Sequence, residues 1–578
     1  MKIVYPGSDG KRWKPSENVG DYIILIRDTW DDFNYKTRFS TICNIKNENV
    51  HLGKLKILFE KKLISFEYLD KLIEEGWDGV FPVPNVNYIS TPEALSFYEQ
   101  IEGHLNLDGA IEVAQMLHDA SYLSKIKDNQ DAIRLLKSSG FNNSLQRERG
   151  SMKAFIDGWK LFGKKSIFIG NQTFTFRTIR GDLLPIELKF ISNTPLPHDI
   201  NVLIGPNGVG KSQLLRQIVD YWLNLDPNRK NEVGFSTRPN LNQVVVVSYS
   251  PFELFPVDTS DDKQRSDHDV YRYFGLRGRK KYIAGSKCGS NKVTLNREFP
   301  KINAAQSLIN CLEDDQTYGA IKEWSNKVKT MERVLRRAID FDSAAVVVSS
   351  EENLDNFFTE KDGLDDPYLE GELGDEDGKP GIVYYISIAS DRIDKLEAKV
   401  LRKHVRDRKG VVFIKDGKPL HLSSGQRLFS YIVINILGAI RRNSLILIDE
   451  PELFLHPNLE IALIRMLKSI LTAFGSKAIV ATHSLVTVRE IPRDCVHVFE
   501  DTKNGIVLKK PPFETFGGDV QRISSYVFSD KSVSKPYEEW VSKQLQEFGS
   551  AENLIKAMDD NINEELLIQI NAMGSGKW

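Results

Sequence analysis

Cysteine is scarce in this chain, with 4 among 578 residues. Cys43, Cys288, Cys311 and Cys495 lie far apart and form no C-x-x-C pair, which excludes a zinc knuckle and a disulfide framework and makes the reducing cytoplasm the expected home. Long apolar runs are missing as well. The longest, 429–440, contains Ser430 and Asn435 and is shorter than the roughly 20 residues that span a bilayer, so no membrane partner is expected. The opening MKIVYPGSDGKRW has no apolar signal segment. Excess charge of either sign is also absent. With 77 Lys and Arg against 79 Asp and Glu the net charge is −2, so contact with nucleic acid must come from local basic patches. A chain this long, 41% hydrophobic and 27% charged, has the composition of a soluble globular protein of two or three domains.

One stretch, NVLIGPNGVGKSQLLRQIVDYW (201–222), carries the clearest chemistry. Gly205, Pro206, Asn207, Gly208, Val209, Gly210, Lys211 and Ser212 spell G-x-x-x-x-G-K-S, with Gln213 next. Val202, Leu203 and Ile204 form a run suited to a buried parallel strand, and Leu214, Leu215, Ile218, Val219 and Trp222 recur at helical spacing. Strand, glycine turn and helix in that order aim backbone N–H groups and the positive end of a helix at phosphate. The spacing therefore predicts ATP in this loop, with Lys211 on the β- and γ-phosphates and the Ser212 hydroxyl on Mg²⁺.

Further along, SLILIDEPELFLHP supplies an apolar strand ending in Asp449 and Glu450. A carboxylate at the end of such a strand binds Mg²⁺, and its neighbour can deprotonate the attacking water. Asp449 is the expected metal residue and Glu450 the general base. A second apolar strand, 478–482, delivers His483, and between the two regions Leu422, Ser423, Ser424, Gly425 and Gln426 open a helix that Ser423 can cap. In this order the motifs resemble those of ABC-type ATPases, with Ser424 in place of the first glycine of the LSGGQ signature. The resemblance implies that Ser423, Ser424, Gly425 and Gln426 meet the γ-phosphate of ATP held by another copy. It also implies that His483 is the switch histidine and that the chain works as a homo-oligomer, at least a dimer, with ATP and Mg²⁺ as cofactors. One element departs from the family. The glutamine expected after the second core strand is missing, since YSPFELFP offers only Ser250 and Glu253, while Gln243 precedes the strand and Gln264 lies beyond it.

The fold so implied is α/β: a mostly parallel sheet flanked by helices, an antiparallel β subdomain, a helical insertion lobe and an α+β N-terminal domain. The expected segments are an N-terminal domain (1–170), the first ATPase half (171–254), a helical insertion with an acidic mobile loop (255–410), the second ATPase half (411–510) and a helical C-terminal segment (511–578). Phe174 and Phe176 are either core aromatics or adenine stackers, and Trp30, Asp31, Asp32 and Phe33 form either a packed turn or a recognition loop. The clusters around Arg277, Arg279, Lys280 and Lys281, and around Lys399, Arg402, Lys403, Arg406, Arg408 and Lys409, are candidates for DNA contact or plain solvated faces.

Glu452 and His456 in EPELFLHP make the second half resemble RecF-, SMC- and OLD-type ATPases more than transporter subunits. The insertion is too short for an SMC coiled coil. No D-x-D follows His483, as the nuclease of an OLD enzyme requires. What remains is similar to the stand-alone ATPases of bacterial anti-phage systems, such as PtuA of Septu and the retron-associated ATPases. That resemblance implies regulation of a separate effector such as an HNH nuclease. Two other readings stay open: a RecF- or SMC-like DNA clamp in repair or chromosome maintenance, and an ATPase-switched toxin whose effector is the N-terminal domain.

Overall fold

The apolar runs picked out above converge on one seven-stranded sheet. Its strand order is Tyr271–Gly275, Gln243–Ser248, Ser444–Asp449, Lys477–Thr482, Ile200–Ile204, Val496–Thr502 and Gly505–Lys509; all neighbours are parallel except the last pair. The computed structural model describes residues 1–8, 20–163, 169–223, 225, 232–237, 239–258, 270–279, 293–319, 321, 326–349, 351–359, 367–374, 380–528, 536–558, 562 and 564–575. The central strands are rich in Val, Ile and Leu without alternation, as burial on both faces demands. Val244, Val246, Leu445, Leu447, Ile479 and Ala481 pack with Leu214, Ile218 and Trp222 of the phosphate-loop helix Lys211–Leu223. Parallel register sets Ser248 beside Asp449, Asp449 beside Ala481, and Thr482 beside Ile204, so the carboxyl ends of four strands line one edge.

A three-stranded antiparallel sheet of Gly234–Phe235, Gln172–Arg177 and Leu183–Leu188 supplies the expected β subdomain. Phe174 and Phe176 are buried in the same core as the phosphate-loop helix, so their rings pack inward and are not adenine stackers. The insertion is corrected more strongly. It holds the helices Phe299–Tyr318 and Lys327–Leu335, but also a five-stranded antiparallel sheet ordered Tyr368–Gly374, Pro380–Ile388, Ser343–Ser349, Val411–Lys415 and Lys418–Pro419. The acidic stretch read as a loop thus contributes a strand, YLEGELG, paired antiparallel with PGIVYYISI. The boundary expected at 410 cuts through this sheet, because Val411–Lys415 pairs with Ser343–Ser349. Asp416 and Gly417, both at positive φ, turn the hairpin between Val411–Lys415 and Lys418–Pro419.

The N-terminal region builds a six-stranded sheet around Tyr22–Arg27, Arg38–Ile45 and Lys54–Phe59, with helices including Ser96–Met116 and Arg149–Phe162. Its turn at Trp30 to Phe33 is a packed turn in which the carboxylate points inward. Asp32 is buried and accepts from Trp30 Nε1 (3.0 Å), Lys56 Nζ (3.1 Å) and Arg147 Nη1 (2.6 Å), while Trp30 and Phe33 stay exposed. Lys56 is fully buried, with Glu148 Oε2 at 3.6 Å as its other anion. Asp32→Ala therefore strips most of the compensation from a buried ammonium and is expected to cost about 3–5 kcal/mol in urea unfolding. A loss under about 1 kcal/mol would mean that Glu148 alone holds the charge.

Met1–Gly517 form one compact unit and Gly518–Trp578 a second. Residues 511–517, expected in the C-terminal segment, belong to the first. Thr515 Oγ1 donates to the Ile491 carbonyl (2.6 Å) and Gly517 N to that of Arg489 (2.8 Å). The second unit is helical and buries Val541, Leu554 and Ile570. No helix among the described residues is long and apolar enough to cross a membrane.

Candidate nucleotide site

Glycine at 205 and 208 is dictated by backbone geometry. Gly205 has φ 154° and a Cβ there would stand 2.4 Å from the Phe499 carbonyl oxygen; Gly208 has φ 78°. Pro206, Asn207 and Gly208 form the exposed lip of the loop, and Val209 anchors it by burying its side chain in the core. Gln213 turns its side chain to the Arg177 carbonyl (3.3 Å), which leaves its backbone for a phosphate. Lys211 is buried and uses its three protons within the site, donating to the carbonyls of Gly205 (3.0 Å) and Pro206 (2.9 Å) and to His483 Nε2 (2.9 Å). Burial lowers its pKa to about 8, against the pull of Glu450 and Asp449. A phosphate at the lip would replace those partners with stronger, charged ones.

The metal side assembles from two distant strands. Ser212 Oγ donates to Asp449 Oδ1 at 2.8 Å. Asp449 is almost wholly buried, and desolvation lifts its pKa to about 7 despite the Ser212 hydrogen bond. A hydroxyl and a buried carboxylate with little counter-charge are the hard oxygen donors that Mg²⁺ takes, so the residues fit the ion. Glu450 adopts left-handed backbone angles (φ 48°, ψ 56°) and is fixed by its N–H to the Ala481 carbonyl (2.9 Å). This strained turn, locked by Pro451 behind it, throws the carboxylate back toward the sheet edge, where Oε1 stands 3.6 Å from His483 Nε2. Burial and the Lys211 charge lower the His483 pKa, so its neutral imidazole accepts from Lys211.

Two acids that the sequence names without giving them a role in the site lie close to it. Glu452 is largely buried, its pKa raised by desolvation, and it accepts the His483 backbone N–H; it fixes where the histidine sits. The second acid of E-P-E was the available signal. Glu253, in the segment where the missing glutamine is expected, is a buried carboxylate. It accepts from the Phe255 N–H (2.7 Å) and the Tyr273 hydroxyl, faces Arg277 (3.4 Å), and is close enough to raise the Asp449 pKa. The packing of Tyr271–Gly275 beside Gln243–Ser248 brings Tyr273 to it.

Ser423 caps the signature helix Ser424–Ala439. Its Oγ accepts the Gln426 N–H (3.3 Å) and the Gln426 side chain accepts the Ser423 N–H (3.1 Å), a capping box that commits both side chains locally. The turn packs on the residues after Glu450: a Cβ on Gly425 would lie 3.4 Å from the Phe454 carbonyl. Leu453 and Phe454 are about half exposed there. Of the basic clusters, Arg277 binds Glu253, Arg279 binds Asp258, and Arg402 binds Glu313, so these cations are spent on the chain's own acids. Lys280 and Lys281 lie outside the described residues, as does Gln264.

The Asp449 environment sets a sign for stability. A carboxyl raised above its ordinary value stabilises the fold below that value, and the contribution is lost as pH rises from about 4 through about 7. In metal-free protein, Asp449→Asn is therefore expected to raise the melting temperature by a few degrees at pH 8, with the gain shrinking toward pH 5, while Mg²⁺-dependent ATP binding is lost. A lower melting temperature at pH 8 would show that the ionised carboxylate is already compensated.

The glycine loop with its lysine and serine, the acid pair at a strand end and the histidine after the next strand meet as the parts of a nucleotide-binding site do. Residues 338–489, which carry the signature turn, Asp449, Glu450 and His483, match the family described as AAA domain, putative AbiEii toxin, Type IV TA system. The whole chain is similar to protein ea59 of Escherichia phage lambda, 24% identical over 574 residues that cover 95% of this chain and 94% of that protein. Among solved structures it is similar to an SMC head bound to the C-terminal winged-helix domain of ScpA, at 12% identity and a TM-score of 0.27, over 60% of this chain and 97% of that one.

Proposed function

We propose that this chain hydrolyses ATP with Mg²⁺ at a site shared between two copies, and that the ATP-closed dimer regulates a partner effector, a nuclease in anti-phage defence. The observation that carries this reading is the convergence of Lys211, Ser212, Asp449, Glu450 and His483 at one sheet edge. In the reaction, the loop N–H groups and Lys211 hold the triphosphate, Ser212 and Asp449 hold Mg²⁺, and Glu450 takes the proton of the attacking water. Mg²⁺ supplies charge neutralisation between the β- and γ-phosphates when bound. His483, kept neutral and positioned by Glu452, is free to donate through one ring nitrogen to the γ-phosphate. Dimerisation is supported by the exposed Leu453 and Phe454 beside a signature turn that has satisfied its own cap.

Purified protein is expected to release phosphate from ATP with Mg²⁺ and to stop when EDTA is added; turnover unaffected by EDTA would remove the metal from the scheme. Co-purification with the product of a neighbouring gene only when ATP is present tests the effector. Two contacts favour the second reading, in which the N-terminal region is itself the output. Arg442, in the turn between the signature helix and the Asp449 strand, donates to the largely buried Glu99 (3.2 Å), and Gln100 donates to the Thr317 carbonyl. Movement of the signature helix would then reach the N-terminal helix Ser96–Met116 directly, and a chain lacking 1–170 would lose toxicity yet retain hydrolysis.

A further inference from the structure

One buried hydroxyl at the nucleotide edge is left unused by the fold. Ser248 ends the strand Gln243–Ser248 and is wholly buried, yet among the described residues its Oγ has no hydrogen-bond partner. Such a group is costly to leave unpaired, and folded chains rarely do so. The sheet sets its direction. Val244 and Val246 on its own strand, and Leu445 and Leu447 on the next, pack with the helix Lys211–Leu223; two residues further on, Ser248 and Asp449 stand in parallel register and share that face. Asp449 accepts there from Ser212 Oγ at the start of the same helix (2.8 Å).

The other oxygens of this stretch are committed. Ser250 Oγ accepts the Phe252 N–H (3.4 Å), and the Tyr249 hydroxyl accepts from Asn435 Nδ2 (3.4 Å). Glu253 Oε1 accepts from the Tyr273 hydroxyl, while its Oε2 accepts the Phe255 N–H (2.7 Å) and faces Arg277 (3.4 Å). Ser248 is the oxygen left over, and it stands next to the metal side of the site. Neighbouring strands lie about 4.8 Å apart, and Mg²⁺, with bonds of about 2.1 Å, holds opposite oxygens about 4.2 Å apart. Side-chain oxygens that face the same way from paired residues can therefore bind one ion between them. A hydroxyl adds a hard donor there without adding a second buried charge.

We infer that Ser248 Oγ is a third protein ligand of Mg²⁺ beside Ser212 and Asp449, an assignment that rests on the Mg²⁺–ATP reading of the site. The test reads metal binding and stability, not turnover. The full chain carrying one equivalent of AMP-PNP, a non-hydrolysable ATP analogue, is titrated with Mn²⁺, and free Mn²⁺ is followed by electron paramagnetic resonance. Ser248→Ala is expected to weaken Mn²⁺ binding about tenfold or more, with AMP-PNP affinity in EDTA unchanged. Ser248→Cys should shift the preference toward Cd²⁺ over Mn²⁺ by about tenfold or more, because a thiolate suits the softer ion. Without metal, Ser248→Ala should melt at or above the parental temperature, since the change removes an unpaired hydroxyl. If both variants hold Mn²⁺ and Cd²⁺ like the parent, or if Ser248→Ala melts several degrees lower without metal, the hydroxyl is structural and the inference is overturned while the ATP reading stands. A parent chain that takes up no Mn²⁺ with AMP-PNP overturns both.

Discussion

Glu450→Gln is expected to lower ATP turnover about 10²–10⁴-fold, the usual worth of a general base, while ATP binding is retained. The amide keeps the size of the side chain and the left-handed turn at 450, so the loop stays where Pro451 and the Ala481 carbonyl hold it. What is lost is the capacity to take a proton from water. Because hydrolysis is what would open the ATP-bound form, the variant should accumulate as a nucleotide-bound dimer on size-exclusion chromatography with ATP and Mg²⁺. Turnover within tenfold of the parent would sink Glu450 as the base. The nearest alternative is then His483, whose Nε2 lies 3.6 Å from Glu450 and 2.9 Å from Lys211.

Mixing two inactive variants should restore activity if the pocket is shared. Lys211→Ala removes the cation that the loop carbonyls and His483 now hold, and each such copy loses its own phosphate grip. Ser423→Asp retains a good helix cap and so spares the fold, but sets a carboxylate where the other copy's γ-phosphate should lie. Each variant alone should fall below about 1% of parental turnover, on the scale that losing preorganised charge stabilisation reaches. In an equal mixture half the dimers are hybrids, and each hybrid has one intact loop facing one intact serine turn. Recovery to roughly one quarter of parental turnover follows from that symmetry. No recovery, with hybrid formation verified by differently tagged copies, would refute the composite site and leave hydrolysis within a single chain.

The parts of the site that were legible in the sequence are those whose chemistry is local. The phosphate loop is written in consecutive residues, because each of its glycines answers a backbone constraint at its own position, as the clash of a Cβ on Gly205 with Phe499 makes plain. The core strands were legible because burial on both faces requires continuous runs such as VVVVS and LILI. The insertion sheet was not. YLEGELG alternates and is acid-rich, so alone it reads as a solvated loop, and it becomes a strand only through its pairing with PGIVYYISI. Glu253 was visible but unassignable, since its role depends on Tyr273 and Arg277 from the next strand and turn.

What the sequence determined by itself is the inventory: a glycine loop with its lysine and serine, an acid pair at a strand end, a capped serine turn and a histidine after a strand. What only the tertiary structure decided is which of these meet. Lys211 reaches His483 across 272 residues and Ser212 reaches Asp449 across 237, because the sheet places strands from opposite halves of the chain side by side. Strand order is set by which apolar faces bury together, a property of pairs of segments that no single segment records.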